Sequence, residues 1–311
     1  MNRFASSWFR RFGLGLVPVV LVGLLGLAGP TKGQRDFSKV EIVTTELAQG
    51  IYMMVGDGGN LGVSVGDDGV FLIDDQYAPL TKKIQAAVAE VSDQPIRFVL
   101  NTHWHFDHTG GNENLGKGGT VIVAHGNVRK RMKAGQVIEA FDVTEPPAPH
   151  VALPVVTFED AVTFHLNGDE IHAFHVPPAH TDGDSIVHFR GANVVHMGDL
   201  FFNGGFPFVD LSSGGSFDGM ITAADRVLGM ADADTKIIPG HGPLADRGDL
   251  AAYRDMLQGV RDAMAPLVKA GKTRDEVIAA KPLGAFDETW GKAFMPLDVF
   301  TGILFDSLSA P

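Results

Sequence analysis

The sequence predicts an α/β fold of two packed sheets with helices on their outer faces. Three observations carry that expectation. Short apolar runs bounded by Gly, Asp and Asn turns come in two batches, over residues 40–73 and 162–197. Segments with the 3.6-residue spacing of amphipathic helices separate and follow them, as at residues 80–91 and 249–264. The side chains with metal-ligating chemistry all fall where strand-like runs end, which places them on one edge of the stacked sheets.

Residues 1–34 stand apart from this pattern. Arg3, Arg10 and Arg11 precede an apolar run over residues 12–29, and Gly26-Leu27-Ala28 offers a signal-peptidase site. The stretch reads as a signal peptide or N-terminal anchor, any membrane attachment being confined to residues 12–29. The remaining chain, residues 35–311, is then the folded domain, placed in the periplasm or outside the cell.

Val40–Thr44, Ile51–Val55, Leu61–Val65 and Val70–Ile73 read as a β-meander, with turn chemistry at Gly56–Gly59 and Gly66–Gly69. Leu80–Val91 has helical periodicity, and Ile96–Leu100 returns as a buried strand. Thr120–Ala124 is a strand, and Gly126–Ala134 is a basic helix whose Arg129, Lys130, Arg131 and Lys133 form a solvated face. His125, at that junction, reads as structural. Residues 142–154 are rich in Pro and acid without periodicity, the composition of a flap at a site or of a plain surface connection. Val162–Leu166, Glu170–His175, Ile186–Phe189 and Val194–Met197 begin the second sheet. Their His165, His172, His188 and His196 read as packing or surface residues. Lys236–Ile238 is a further strand, and helices at Asp249–Met264, Thr273–Lys281 and Leu297–Leu308 cover the second sheet.

The chemistry concentrates in Asn101–Asn112. His103, His105, Asp107 and His108 fall within six residues, directly after a strand and before a Thr-Gly-Gly break. Alternation along an extended backbone puts His103 and His105 on one side. The turn that follows brings Asp107 and His108 to a neighbouring position, a spacing for two adjacent metal ions. Imidazole and carboxylate ligands without sulfur point first to zinc, with iron and manganese as the other candidates.

His103-Trp104-His105-Phe106-Asp107-His108 matches at every position the His-x-His-x-Asp-His motif of the metallo-β-lactamase-fold superfamily, which this chain resembles. The resemblance implies a four-layer αββα sandwich. It also makes Asp74, at a strand end, a residue that supports the metal loop by hydrogen bonding. Pro177–Val187 resembles the superfamily's Gly-His-Thr element with Ala179 replacing Gly, so His180 becomes the third ligand beside His103 and His105. His175, five residues earlier, is the competing candidate. Asp199, after Gly198, resembles the metal-bridging Asp of the hydrolase branches. His241, in Pro239-Gly-His-Gly242, joins Asp107 and His108 on a second metal.

Two zinc ions per chain with a bridging water would supply hydroxide at neutral pH, with Asp107 or Asp199 orienting it or passing a proton. The expected activity is that of an exported zinc-dependent hydrolase, β-lactamase-like, acting on cyclic amides or esters. Lactonases, glyoxalase II-like thioesterases and phosphodiesterases are the alternatives within the superfamily. Asp199 stands where some zinc β-lactamases carry Cys, and Phe202 where they carry the Lys that holds the drug's carboxylate. Asn203–Phe208 and Leu211–Phe217 read as a Gly- and Phe-rich rim for an apolar or neutral substrate. A single iron would instead support oxygen chemistry, as in persulfide dioxygenases, but leaves Asp107, His108 and His241 without a task.

Bulk properties narrow the partners. With 25 Lys and Arg against 37 acids the formal charge is −12, which argues against a grip on nucleic acid and for a small-molecule substrate. The absence of cysteine removes disulfides, thiolate ligands and a lipoprotein anchor. No internal repeat, P-loop or dinucleotide fingerprint is present.

Overall fold

The computed structural model describes residues 36–310. The targeting segment expected over residues 1–34 lies outside the described residues. Within them, no helix is long and apolar enough to cross a membrane.

The first half of the domain supplies β1 (Val43–Ala48), β2 (Ile51–Val55), β3 (Leu61–Ser64), β4 (Val70–Ile73), α1 (Thr81–Val91) and β5 (Ile96–Asn101). The short helices α2 (Phe106–Thr109) and α3 (Asn112–Lys117) follow, then β6 (Val121–His125) and α4 (Gly126–Ala134). A small hairpin, β7 (Gln136–Ile138) and β8 (Val143–Glu145), precedes β9 (Val156–Phe158). The second half supplies β10 (Ala161–Leu166), β11 (Asp169–His175), β12 (Ser185–Phe189), β13 (Val194–His196), α5 (Phe217–Met230) and β14 (Lys236–Ile238). Helices α6 (Arg247–Lys269), α7 (Arg274–Ala280), α8 (Gly284–Trp290) and α9 (Leu297–Ser309) complete it.

Seven strands form one sheet in the order β1-β2-β3-β4-β5-β6-β9, and five form another in the order β10-β11-β12-β13-β14. Strand alternation decides which face each residue joins. Phe71 and Ile73 of β4 and Leu100 of β5 pack with Ile171, Ala173, Val187 and Phe189 of the second sheet. Their sequence neighbours Val70, Leu72 and Val99 point the other way, onto Leu80, Ile84 and Val88 at and within α1. On the second sheet, Phe174, Ile186, Val195 and Ile237 face outward onto Met220, Ala224, Leu257 and Val260 of α5 and α6. Helices, sheet, sheet and helices are therefore four layers, and each fully buried Phe or Leu side chain stabilises them by about 1.5–3 kcal/mol.

Differences from the sequence reading are local. The first strand starts at Val43, because Phe37–Lys39 forms a 3₁₀ turn capped by Asp36. Helix α5 is unforeseen; Ser216 caps it, and seven of its residues are buried. Residues 142–154 contain β8 and a 3₁₀ turn, and the following β9 adds a parallel edge strand to the first sheet. The phenylalanines of the expected rim are core instead: Phe206 and Phe217 are fully buried, and Phe208 nearly so.

Candidate metal centre

Each expected ligand follows a strand end at one edge of the sandwich. His103 and His105 lie just past β5, His180 past β11, Asp199 past β13 and His241 past β14. Their ligand atoms gather into two groups, His103, His105, His180 and Asp199 in one and Asp107, His108 and His241 in the other. Asp199 reaches both. Its Oδ2 is 3.6 Å from His180 Nε2 and 3.3 Å from His241 Nε2, and its Oδ1 is 3.0 Å from His108 Nε2.

Two strand-end loops approach so closely that only glycine fits. A Cβ on Gly240 would stand 2.1 Å from Asp199 Oδ1, and one on Gly59 would stand 2.1 Å from His108 Cε1. Asn60 clamps the His241 loop, its side-chain amide donating to the carbonyls of Pro239 and Gly242, each at 2.9 Å. His196, read from sequence as packing or surface, is fully buried and supports the Asp199 turn. Its Nδ1 accepts from Gly198 N–H at 3.1 Å, and its Nε2 lies 3.0 Å from the Asn60 carbonyl.

The outward nitrogen of His103, His105, His108 and His180 each has an acceptor, which holds the ring with its other nitrogen facing the centre. His108 Nδ1 donates to Asp74 Oδ2 at 2.8 Å. His103 Nδ1 lies 3.0 Å from Thr102 Oγ1, and that hydroxyl donates in turn to Asp74 at 2.8 Å. Asp74 also accepts from Thr102 N–H, so one buried carboxylate braces both histidines and the backbone between them. Asp74 adopts φ 59°, in the left-handed region where Asp is tolerated better than most residues. His180 Nδ1 donates to the Phe208 carbonyl, and His105 Nε2 donates to Asp210 Oδ2 at 3.0 Å.

Asp210 was not legible from the sequence. It lies 105 residues from His105, in no motif, and only the fold brings the two together. Its carboxyl is held below the usual range: burial pushes it up, but His105, Ser212 and Ser213 outweigh that. Asp184, also unassigned, closes the His180 loop by accepting from Thr181 N–H at 2.8 Å and from its hydroxyl. His175, the competing ligand, points away, its Nδ1 on the Asp184 carbonyl at 2.8 Å and its ring stacked on His125 at 3.8 Å.

The donor set fits a metal. His103 Nε2, His108 Nε2 and Asp199 Oδ1 are buried without a hydrogen-bond partner, although the last two are only 3.0 Å apart. His105 Nδ1 and His180 Nε2 face each other at 2.9 Å, both with their opposite nitrogen already donating. Inward lone pairs at that range repel unless a cation or proton lies between them. Burial drives His103 well below its usual pKa and His180 down to about 4, so both present neutral imidazole. In the second group burial is outweighed by attraction. Asp107 is lowered to about 2 by His108 and His241, and His241 is raised to about 9 by Asp199 and Asp107.

A sandwich with imidazole and carboxylate ligands clustered on one edge defines a metal-binding hydrolase class. The chain belongs to the metallo-beta-lactamase superfamily, whose family model matches residues 55–259. It is 22% identical to the 2,4-dinitroanisole O-demethylase subunit alpha of a Nocardioides species, over 90% of this chain and 82% of that one. A hydroxyacylglutathione hydrolase of Gloeobacter violaceus is 28% identical over 45% of this chain and 51% of its own length. Among solved structures, the metallo-beta-lactamase FIM-1 of Pseudomonas aeruginosa, in its mono-zinc form, superposes with a TM-score of 0.56 at 22% identity. That likeness covers 71% of this chain and 96% of that one, and it speaks to the fold.

Proposed function

We propose that the chain is an exported zinc-dependent hydrolase with two metal ions, one held by His103, His105 and His180 and one by Asp107, His108 and His241. Asp199 carries the reading, because its carboxylate lies within 3.6 Å of His180 and within 3.3 Å of His241. When bound, zinc lowers the pKa of a coordinated water toward neutrality and polarises a carbonyl or phosphoryl oxygen. The protein's own groups do the rest. Asp74 and Asp210 hold the ligating rings in place. Asp107, ionised at neutral pH and partly exposed, orients an attacking water by accepting its hydrogen bond. With its carboxyl held at about 2 it is a weak proton acceptor, so orientation is its main contribution. No cysteine is available as nucleophile or ligand.

The substrate we infer is a small, uncharged cyclic ester or amide. Among the described residues, no Lys or Arg forms an ion pair with any of the seven cluster residues. Phe202 is buried beside His241, and by the resemblance it takes the sequence position of the Lys that holds the drug's carboxylate in some zinc β-lactamases. The relative named for 2,4-dinitroanisole, an aryl methyl ether, supports the absence of charge but not the ester or amide. Lactonase chemistry is therefore the nearest alternative to β-lactam opening. Oxygen chemistry at one iron leaves the second group without a role.

The test is a zinc titration of the chelator-stripped protein, followed by turnover of a chromogenic cephalosporin and a lactone panel. Two zinc ions with chelator-sensitive turnover is the expected result. Cephalosporin turnover would make it a working β-lactamase, and lactone turnover alone a lactonase. A stoichiometry of one, or an inert two-zinc protein, would overturn the proposal.

A further inference from the structure

We propose that Phe294, backed by Phe202, forms a shelf that seats a flat aromatic ring of the substrate beside His241. The inference rests on the hydrolase reading above for the chemistry, but on separate observations for the shelf. Among the described residues, Phe294 is the one aromatic side chain in the set of exposed large hydrophobics, at 53% exposure. A lone exposed hydrophobe is ordinary on a protein surface. This one belongs to a chain of ring contacts that ends in the metal centre. Its centroid is 5.8 Å from Phe202 and 6.2 Å from His241. Phe202 stacks on His241 at 5.3 Å and 15°, and lies 6.1 Å from His180. These separations fall in the 4.5–7 Å range over which aromatic rings attract.

The segment bearing Phe294 is anchored on both sides. Met295 is fully buried. On the other side Phe206 N–H donates to the Trp290 carbonyl at 3.0 Å, and Gly205 leaves so little space that a Cβ would stand 2.5 Å from Ala293 Cβ. The ring is thus held out toward solvent by a fixed backbone, which reduces the ordering cost of binding a partner ring. The opposite side of the centre differs. There Phe208 lies 5.9 Å from His105 and is backed by Phe141 at 4.7 Å, but it is only 4% exposed and forms wall, not shelf. An aromatic ring entering the site therefore has a partner on the His241 side. The substrate class that follows is an aromatic-fused or aryl-bearing neutral ester or amide.

Two measurements on the full chain test this, comparing wild type with Phe294→Ala and Phe294→Trp. In the first, ¹⁹F NMR titrates the zinc-loaded protein with 4-fluorobenzamide and with its saturated analogue, trans-4-fluorocyclohexanecarboxamide. The aromatic probe should bind about three- to tenfold tighter, as expected for one added aromatic pair. Phe294→Ala should abolish that preference and Phe294→Trp should keep it. In the second, kcat/KM is measured for dihydrocoumarin and δ-valerolactone, and the ratio between them should fall about three- to tenfold in Phe294→Ala, through KM. Equal binding of the two probes by wild type, or an unchanged preference in Phe294→Ala, overturns the shelf even if both lactones are hydrolysed. An aromatic preference that depends on Phe294 in a protein that turns over no lactone supports the shelf while the hydrolase reading fails.

Discussion

The two halves of the metal centre are built differently. His103, His105 and His180 are at most 5% exposed at the side chain, and every outward nitrogen has a fixed acceptor. In the other half only His108 is so enclosed. The Asp107 side chain is 18% exposed and that of His241 27%. The first half is an enclosed set of imidazoles in which burial keeps His103 and His180 neutral, whereas in the second attraction between Asp107, Asp199 and His241 outweighs burial at the open side, next to Phe294. A buried, braced half suits tight retention of a cation. The exposed half suits exchange and contact with an incoming molecule.

The largest effect should come from the residue the halves share. Asp199→Ala removes the carboxylate that reaches both groups. Activity should fall by more than the roughly 100-fold that outer partners of ligands contribute. Zinc content measured by mass spectrometry should drop below two per chain. Full zinc content in that variant would show that Asp199 is not a shared ligand.

The contrast between halves is sharpened by a pair of substitutions. Asp210→Asn removes the charged acceptor behind His105, and should weaken the tighter zinc site by about 10–100-fold while leaving the looser one within about threefold. His241→Ala should do the reverse, leaving one tightly held zinc. If both substitutions weakened the same binding step, the two groups would be one site.

The smallest effect concerns a pair outside the centre. His125 and His175 stack at 3.8 Å and 4°, faced by Glu159 from the end of β9 and by Asp182 from the His180 loop. Burial, then His175, lowers the His125 pKa below its usual 6.5. The folded state therefore binds fewer protons than the unfolded chain as the pH drops, so this contribution is present above about 6.5 and is lost below it. Melting temperatures from pH 8 to 5 should fall less in His125→Gln than in wild type. Parallel curves would remove the stack as a source of acid sensitivity.

Much of this could be read from the chain alone. Strand alternation in Val70–Ile73 sorts residues between two cores because β geometry has a period of two. The stretch from His103 to His108 is legible because its ligands are neighbours in sequence. His180, Asp199 and His241 were picked out by their resemblance to elements of the superfamily, each near a strand end, and the fold brings them to the same edge. Asp210, Thr102, Asn60 and His196 were not, because their roles are hydrogen bonds to residues that are remote in sequence or carry no motif. Helix α5 escaped although Phe217, Met220, Ile221, Ala224, Val227 and Leu228 keep helical spacing, because Gly214 and Gly215 before it and Gly219 and Gly229 within it carry loop chemistry. The aromatic rim was misplaced for a related reason. Composition marks Phe206 and Phe208 as apolar, but only packing decides that they are buried while Phe294 stays outside. Local spacing thus determined the fold class and the ligand types, since both depend on backbone periodicity and side-chain chemistry. The bracing of the ligands, the unequal exposure of the two halves and the ring beside His241 were decided by tertiary structure. They depend on contacts across 28 to 136 residues that no local pattern encodes.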